Sequence, residues 1–144
     1  MSPAPAGPPP GDRRPSISGT NPLAPTILIV EDDPDFRYAI SQIVRDEGYR
    51  VETAPDGRAA LDKLRWGLRP RLILLDLRMG IMNGWDFRAE QKKDPALAGI
   101  PVVAMTAGRW KQGDLDDFTA RTEKPIDLDQ LRAILDQHRS GTGV

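Results

Sequence analysis

Three short apolar runs punctuate the chain: "TILIV" (26–30), "LILL" (72–75) and "IPVVAMTA" (100–107). Each has the length of a strand and is bounded by polar or turn-forming residues, the pattern of strands buried on both faces of a parallel sheet. Between them the apolar positions fall at helical spacing. "DPDFRYAISQIVRDEG" offers Asp33 as N-cap, Pro34 at the first helical position, and Phe36, Ile40, Ile43 and Val44 on one face, with Gly48 as the stop. "YRVETA" (49–54) reads as a shorter strand, and Asp56 caps a helix carrying Ala60, Leu61 and Leu64 that stops near Gly67. The third strand ends on Asp76, between Pro70 and Gly80, and a helix follows from about Asn83-Gly84 to about Lys93. "FTART" (118–122) supplies a fifth strand with one strongly apolar residue, Phe118. Asp127 caps a last helix with Leu128, Leu131, Ile134, Leu135 and His138 at helical spacing.

This order is a strand–helix unit repeated five times, which predicts an α/β fold with a doubly wound, five-stranded parallel sheet over residues 26–138. Right-handed crossovers put the carboxyl ends of all strands on one edge, where open sheets of this kind bind ligands. Those ends carry Glu31-Asp32-Asp33, Asp76, Thr106-Ala107 and Lys124-Pro125. Taken singly, each has an ordinary explanation: a loop-starting aspartate at 76, a strand-end threonine at 106, a solvated lysine at 124. Pro125 biases Lys124 toward an extended backbone, away from helix. Together they gather acids that would repel one another unless a cation neutralises them. The candidate ligands are all oxygens, which suits Mg²⁺, while no loop has the ligand pattern of an EF-hand calcium site. A carboxylate beside a metal, with a hydroxyl donor and a lysine opposite, is the equipment of phosphoryl transfer with aspartate as nucleophile.

Composition narrows the alternatives. The net charge of −1 and pI of about 5.8 give no electrostatic reason to expect nucleic acid, and the chain contains no cysteine, which excludes disulfides and permits a cytoplasmic setting. No apolar stretch approaches the roughly 20 residues of a membrane span. Residues 1–25 hold eight of the fourteen prolines and almost no large apolar side chains, so they are expected to form a disordered tail. Arg13-Arg14 is not followed by the apolar region of an export signal. Residues 139–144 are expected to form a short flexible C-terminal tail. The three tryptophans, Trp66, Trp85 and Trp110, lack the interleaved lysines of a base-stacking set and are expected to be packing residues.

At this point residues 26–138 resemble the response regulator receiver domains of two-component signalling. The resemblance is carried by "ILIVEDDPDFR", "LILLDLRMGIMNGWDF", "IPVVAMTA" and "EKPIDLDQL", four motifs in order at the predicted strand ends. It implies the flavodoxin-like (βα)5 receiver fold, with Asp76 as the phosphoacceptor. It further implies that Glu31 and Asp32 organise Mg²⁺ together with Asp76 and the backbone carbonyl of Arg78, that Thr106 binds one phosphoryl oxygen, and that Lys124 pairs with another. Asp33 matches no ligand position and is assigned to helix capping. The implied donor is a sensor histidine kinase or a histidine phosphotransfer protein.

The sequence departs from the family's pattern in places that bear on switching. Gly80 stands where a proline is usual, which implies a more flexible loop and weaker metal binding. Arg121, three residues before Lys124, replaces the aromatic residue that commonly swings inward on activation. "GRWKQGDLDDFT" (108–119) is short for a loop, helix and loop, so the fourth helix is expected to be abbreviated or irregular, and the usual receiver dimer is not carried over. Arg78 and Gly108 lie where side chains influence the access of attacking water. His138, the sole histidine, is expected to be a helix-end residue and not a phosphohistidine.

The leading expectation is a stand-alone receiver that assists its own phosphorylation and dephosphorylation without turning over a separate substrate. Its output would run through contact with a downstream protein of unknown identity, or it would store phosphate in a phosphorelay. A pseudo-receiver, an interaction module keeping the fold without the chemistry, is the alternative. A phosphatase would require a second acid two residues after the nucleophile, where Arg78 stands.

Overall fold

The apolar run that ends on Asp76 forms the middle of the sheet. In a computed structural model of the chain, which describes residues 24–107 and 113–139, this run is strand β3 (Leu72–Asp76), and all five of its residues are buried. Strand β1 (Thr26–Val30) lies on one side of it and β4 (Val102–Thr106) on the other. The outer strands are β2 (Arg50–Ala54) and β5 (Ala120–Glu123), giving the order β2-β1-β3-β4-β5 with every pairing parallel. The apolar strands β1, β3 and β4 occupy the centre because only there are both faces covered.

Among the described residues four helices cover the faces: α1 (Pro34–Asp46), α2 (Gly57–Arg65), α3 (Gly84–Lys92) and α4 (Leu128–Gln137). Each starts on a side-chain cap of the kind its sequence offers. Asp33 accepts from Asp35 N, Asp56 from Ala59 N, Asn83 from Asp86 N, and Asp127 from Asp129 N and Gln130 N. The alternation of side chains along each strand divides the core in two. Leu28, Val30, Ile73, Leu75, Val102 and Ala104 pack with α2 and α3, whereas Ile27, Ile29, Leu72, Leu74, Val103 and Met105 pack with α1 and α4. Burying an aliphatic side chain of this size contributes roughly 1.5–3 kcal/mol, so the sheet is held from both sides.

The connection after β4 is where the chain departs most from a regular strand–helix repeat, at the segment whose helix was expected to be abbreviated or irregular. Between β4 and β5 the described residues contain no helix, and Gly113–Asp117 form consecutive turns instead. Gly113 has φ +95°, and Leu115 and Phe118 are the only large apolar residues of "GDLDDF", too few to line a helix face. Both pack onto the α2–α3 side of the core. Helix α3 ties this segment down through Trp85 Nε1 donating to Asp114 O (3.1 Å), Arg88 Nε donating to Asp117 O (3.0 Å) and Lys92 paired with the Asp117 carboxylate (2.7 Å). The strand expected at 118–122 starts later, at Ala120, because Phe118 turns into the core. Of the tryptophans expected to pack, Trp85 leans on the core, Trp66 at the end of α2 is 52% exposed, and Trp110 lies outside the described residues. The expectations for residues 1–23, for Gly108 and for 140–144 also lie outside them.

Candidate phosphoacceptor and metal site

The parallel register brings the strand ends into one row: Val30 beside both Ala54 and Leu75, Asp76 beside Met105, and Thr106 beside Glu123. Residues that follow these ends in the sequence therefore meet in space. Glu31 prolongs β1 by donating its N–H to Ala54 O (3.0 Å), and its side chain is 1% exposed. Oε2 of that carboxylate accepts from Asp33 N (3.1 Å) and Oε1 from Lys124 Nζ (2.9 Å). Asp76 is buried, accepts Arg78 N at Oδ1 (3.1 Å), and has Oδ2 3.6 Å from Lys124 Nζ. Lys124 itself is held by its N–H donating to Thr106 O (2.7 Å), and its bond to Pro125 is cis. Glu31, Asp32 and Asp76 each present an oxygen within 4.8 Å of the others, and Asp32 is exposed.

The loop after β3 is fastened at both ends. Leu77 N donates to Met105 O (3.3 Å), extending the ladder one residue past Asp76, and Gly84 N donates to Leu77 O (3.1 Å). Within the loop, Met79 is buried, Ile81 is exposed, and Met82 sits against Gly57, where a Cβ would lie 2.9 Å from its Cγ. A Cβ placed on Gly80 would meet no heavy atom within 4 Å, and this glycine has no positive φ.

Two observations test whether these residues suit a divalent cation and a phosphoryl group. Three carboxylates lie within 4.8 Å of one another and Lys124 pairs with two of them, a surplus of negative charge that a hard, oxygen-seeking dication such as Mg²⁺ neutralises with its remaining positions left to water and phosphate. Thr106 is 2% exposed and its Oγ1 has no hydrogen-bond partner among the described residues, an arrangement that costs about 1–3 kcal/mol for a buried hydroxyl unless a ligand oxygen satisfies it. Both fit.

Burial pushes the Glu31 carboxyl up to about 7, with the Asp76 charge adding to the rise and the Lys124 and Asp33 hydrogen bonds opposing it. The proton is thus held more tightly in the folded chain than in the unfolded one. Without metal, this group's contribution to stability is fully present below about 4.5 and is lost as the pH rises through about 7. A cation must displace that proton, so Mg²⁺ affinity is expected to rise with pH through about 7. Calorimetric Mg²⁺ titrations across this range check the effect, and Glu31→Gln, which has no proton to release, is expected to flatten the pH dependence.

The structure thus brings together the side chains that the strand ends pointed to: Glu31, Asp32, Asp76, Thr106 and Lys124. Asp33 lies beside them as the cap of α1. Arg121 is exposed on β5, and the buried neighbour Thr122 bonds to Gln130 (2.9 Å). His138 is the C-cap of α4, with Nδ1 2.9 Å from Ile134 O. Two contacts were not legible in the sequence. Arg37 Nη1 donates to Glu31 O (2.8 Å), and the Phe36 ring lies under Lys124 Nζ, 4.3 Å from its centroid. No spacing rule pairs residue 36 with residue 124. A shallow cleft lined by Pro34, Arg37, Tyr38, Ser41, Arg45 and Thr53 runs beside α1 and includes none of the clustered acids.

A five-stranded parallel sheet of this order with an acidic cluster at its carboxyl edge is the architecture of a two-component receiver. The response regulator receiver domain family matches residues 27–136, and the chain belongs to that family. Among similar proteins, the DNA-binding response regulator MtrA of Mycolicibacterium smegmatis is 34% identical over 109 residues, covering 71% of this chain and 46% of MtrA. The two-component response regulator ORR3 of Oryza sativa subsp. indica is 31% identical over 114 residues, covering 74% of this chain and 87% of ORR3. Against several relatives the chain spans about half of their length: 46%, 49% and 50%. The receiver domain of a sensor histidine kinase from Pseudomonas aeruginosa PAO1, solved with a magnesium ion coordinated in its active site cleft, superposes with a TM-score of 0.73 at 28% identity, covering 81% of this chain and 98% of that one.

Proposed function

We infer that this receiver accepts a phosphoryl group on Asp76 from a phosphohistidine of a sensor histidine kinase or histidine phosphotransfer protein, in a Mg²⁺-dependent step. The observation that carries this reading is the convergence on Asp76 of two further carboxylates and a lysine 3.6 Å from its Oδ2, with a buried threonine hydroxyl at the end of the neighbouring strand β4 that has no partner among the described residues. Bound Mg²⁺ would supply charge neutralisation for the carboxylates and the incoming phosphoryl oxygens. Glu31, Asp32, Asp76 and the Arg78 backbone carbonyl are the groups to hold it. A carboxylate oxygen of Asp76 attacks phosphorus, a P–O bond forms as the P–N bond to the donor imidazole breaks, and the electron pair leaves on that nitrogen. Thr106 donates its hydroxyl to one phosphoryl oxygen, and Lys124 turns from Glu31 to another. Hydrolysis of the acyl phosphate returns Asp76, so no separate substrate is turned over.

The net charge of −1 favours a protein partner over nucleic acid for this chain, and no helix among the described residues is long and apolar enough to cross a membrane. A cytoplasmic, single-domain regulator is the form we propose, supported by the similarity to ORR3 over 87% of that protein's length. Output then runs through contact with a downstream protein or through phosphate storage. Arg121 and the turns that replace a helix at 113–117 favour a second reading, a phosphorylation-independent interaction module. Mg²⁺ titration followed by tryptophan fluorescence separates the two, since Trp85 lies on α3 just after the site loop. Saturable quenching at millimolar Mg²⁺, lost in Asp32→Ala, is the expected result, and an unresponsive signal supported by calorimetric silence favours the interaction module.

A further inference from the structure

Lys124 places its ammonium beside Glu31 and Asp76, and how it is kept there is a separate question from what it does. Its side chain is 23% exposed, on a long stem, in the turn between β5 and α4. A flexible lysine in that setting loses rotamer freedom when it is fixed over a site, and a contact must offset that cost. Glu31 supplies one contact at 2.9 Å, and Asp76 lies at 3.6 Å. Glu31 is also needed by the metal in the reading above, so it cannot hold the lysine throughout.

The third contact is the face of Phe36, 4.3 Å from the ammonium, well within the range at which a ring quadrupole attracts a cation. Phe36 sits in the first turns of α1, a helix fixed by the Asp33 cap and by packing of its apolar face. The ring is half-buried against that core, so its position does not depend on Lys124. An aromatic face has no charge and no lone pair to compete with the phosphoryl group. It holds the ammonium over the site without neutralising it, which a fourth carboxylate would do.

We propose that Phe36 is a positioning residue for phosphoryl acceptance, holding Lys124 by a cation–π contact over Asp76. This rests on the phosphoacceptor reading above. The alternative role for Phe36 is packing alone, and the two roles separate when the ring's electrostatics are altered at nearly constant shape.

The test replaces Phe36 in the full chain with a graded series of fluorinated phenylalanines, and also makes Phe36→Leu, Phe36→Trp and Lys124→Ala. Phosphoryl uptake from a small-molecule acyl phosphate is followed with Mg²⁺ present. Uptake is expected to fall stepwise with fluorination and by about three- to tenfold in Phe36→Leu, with Phe36→Trp retaining or exceeding the wild-type rate. In the metal-free protein without donor, the Lys124 ε-methylene protons are expected to show an upfield ring-current shift that vanishes in Phe36→Leu. Uptake that depends on Lys124 but stays flat across the fluorinated series overturns the positioning role and leaves the phosphoacceptor reading standing. Uptake indifferent to Lys124→Ala overturns the role assigned to the lysine in that reading. Absence of the ring-current shift overturns the contact itself, whatever the uptake.

Discussion

Asp76→Asn is expected to take up no phosphoryl group from either a small-molecule donor or a histidine-phosphorylated protein, under conditions that load the wild type. The amide keeps the shape of the carboxylate and can still accept Arg78 N, which donates to Oδ1 at 3.1 Å in the native chain, so the fold survives. What disappears is the proposed nucleophile, since a neutral amide does not form the acyl phosphate. The cluster also loses one of the three acids whose oxygens lie within 4.8 Å, and Mg²⁺ affinity should fall with it. Asp76 is one of the charges that raises the Glu31 carboxyl, so its removal should bring Glu31 down from about 7 and make the metal-free variant less sensitive to pH. Intact mass after donor treatment reads the first effect, and thermal unfolding across pH reads the last. An adduct on Asp76→Asn as abundant as on the wild type would remove Asp76 from the mechanism.

A second large effect is expected from steric contact alone, with no change of charge. Gly84, the first residue of α3, closes the loop that follows Asp76 and carries Arg78. A Cβ there would lie 2.5 Å from Leu77 Cδ2, 2.9 Å from Leu77 Cα and 3.2 Å from Asp76 O. Side-chain rotation can relieve the first of these, but the other two are backbone and must be moved. Gly84→Ala should therefore destabilise the protein by roughly 1–3 kcal/mol, even after the gain of up to about 1 kcal/mol in helix propensity. The displaced backbone lies at the end of β3, at Asp76 and Leu77, so Mg²⁺ affinity should weaken as well. Gly80→Ala is the control, with no atom within 4 Å of the added carbon, and is expected to stay within about 0.5 kcal/mol of wild type. Denaturant unfolding of the two variants checks the pair. Equal losses at both positions would show that loop entropy, and not the close approach to Leu77, sets the cost.

The sheet was legible because its chemistry is local. Short, mostly apolar runs at 26–30, 72–75 and 100–107, bounded by polar or turn-forming residues, fit central strands, and each helix carries an N-cap that the structure uses: Asp33, Asp56, Asn83 and Asp127. Parallel strands joined by right-handed crossovers end on one edge, so their order alone gathers Glu31, Asp32, Asp76, Thr106 and Lys124. The β4–β5 connection was harder to read. Leu115 and Phe118 have a helix-like spacing, yet Gly113 and the surrounding aspartates favour turns, and what fixes the segment is a set of bonds from Trp85, Arg88 and Lys92 on α3. Partners so distant along the chain leave no periodicity. The same holds for Phe36, whose place on the apolar face of α1 was plain while its contact with Lys124 depended on the turn after β5. Trp66 shows the reverse error: a large aromatic at a helix end need not be buried, and there it caps α2 in solvent.

The most direct test of the central claim locates the phosphoryl group. Wild-type protein is incubated with an acyl phosphate donor and, separately, with a histidine-phosphorylated protein donor, each with and without Mg²⁺, and the acyl phosphate is trapped and mapped by peptide mass spectrometry. A single Mg²⁺-dependent modification on the peptide containing Asp76 is the predicted result. Modification of His138 or another residue in its place, or no modification from either donor in the presence of Mg²⁺, would contradict the account.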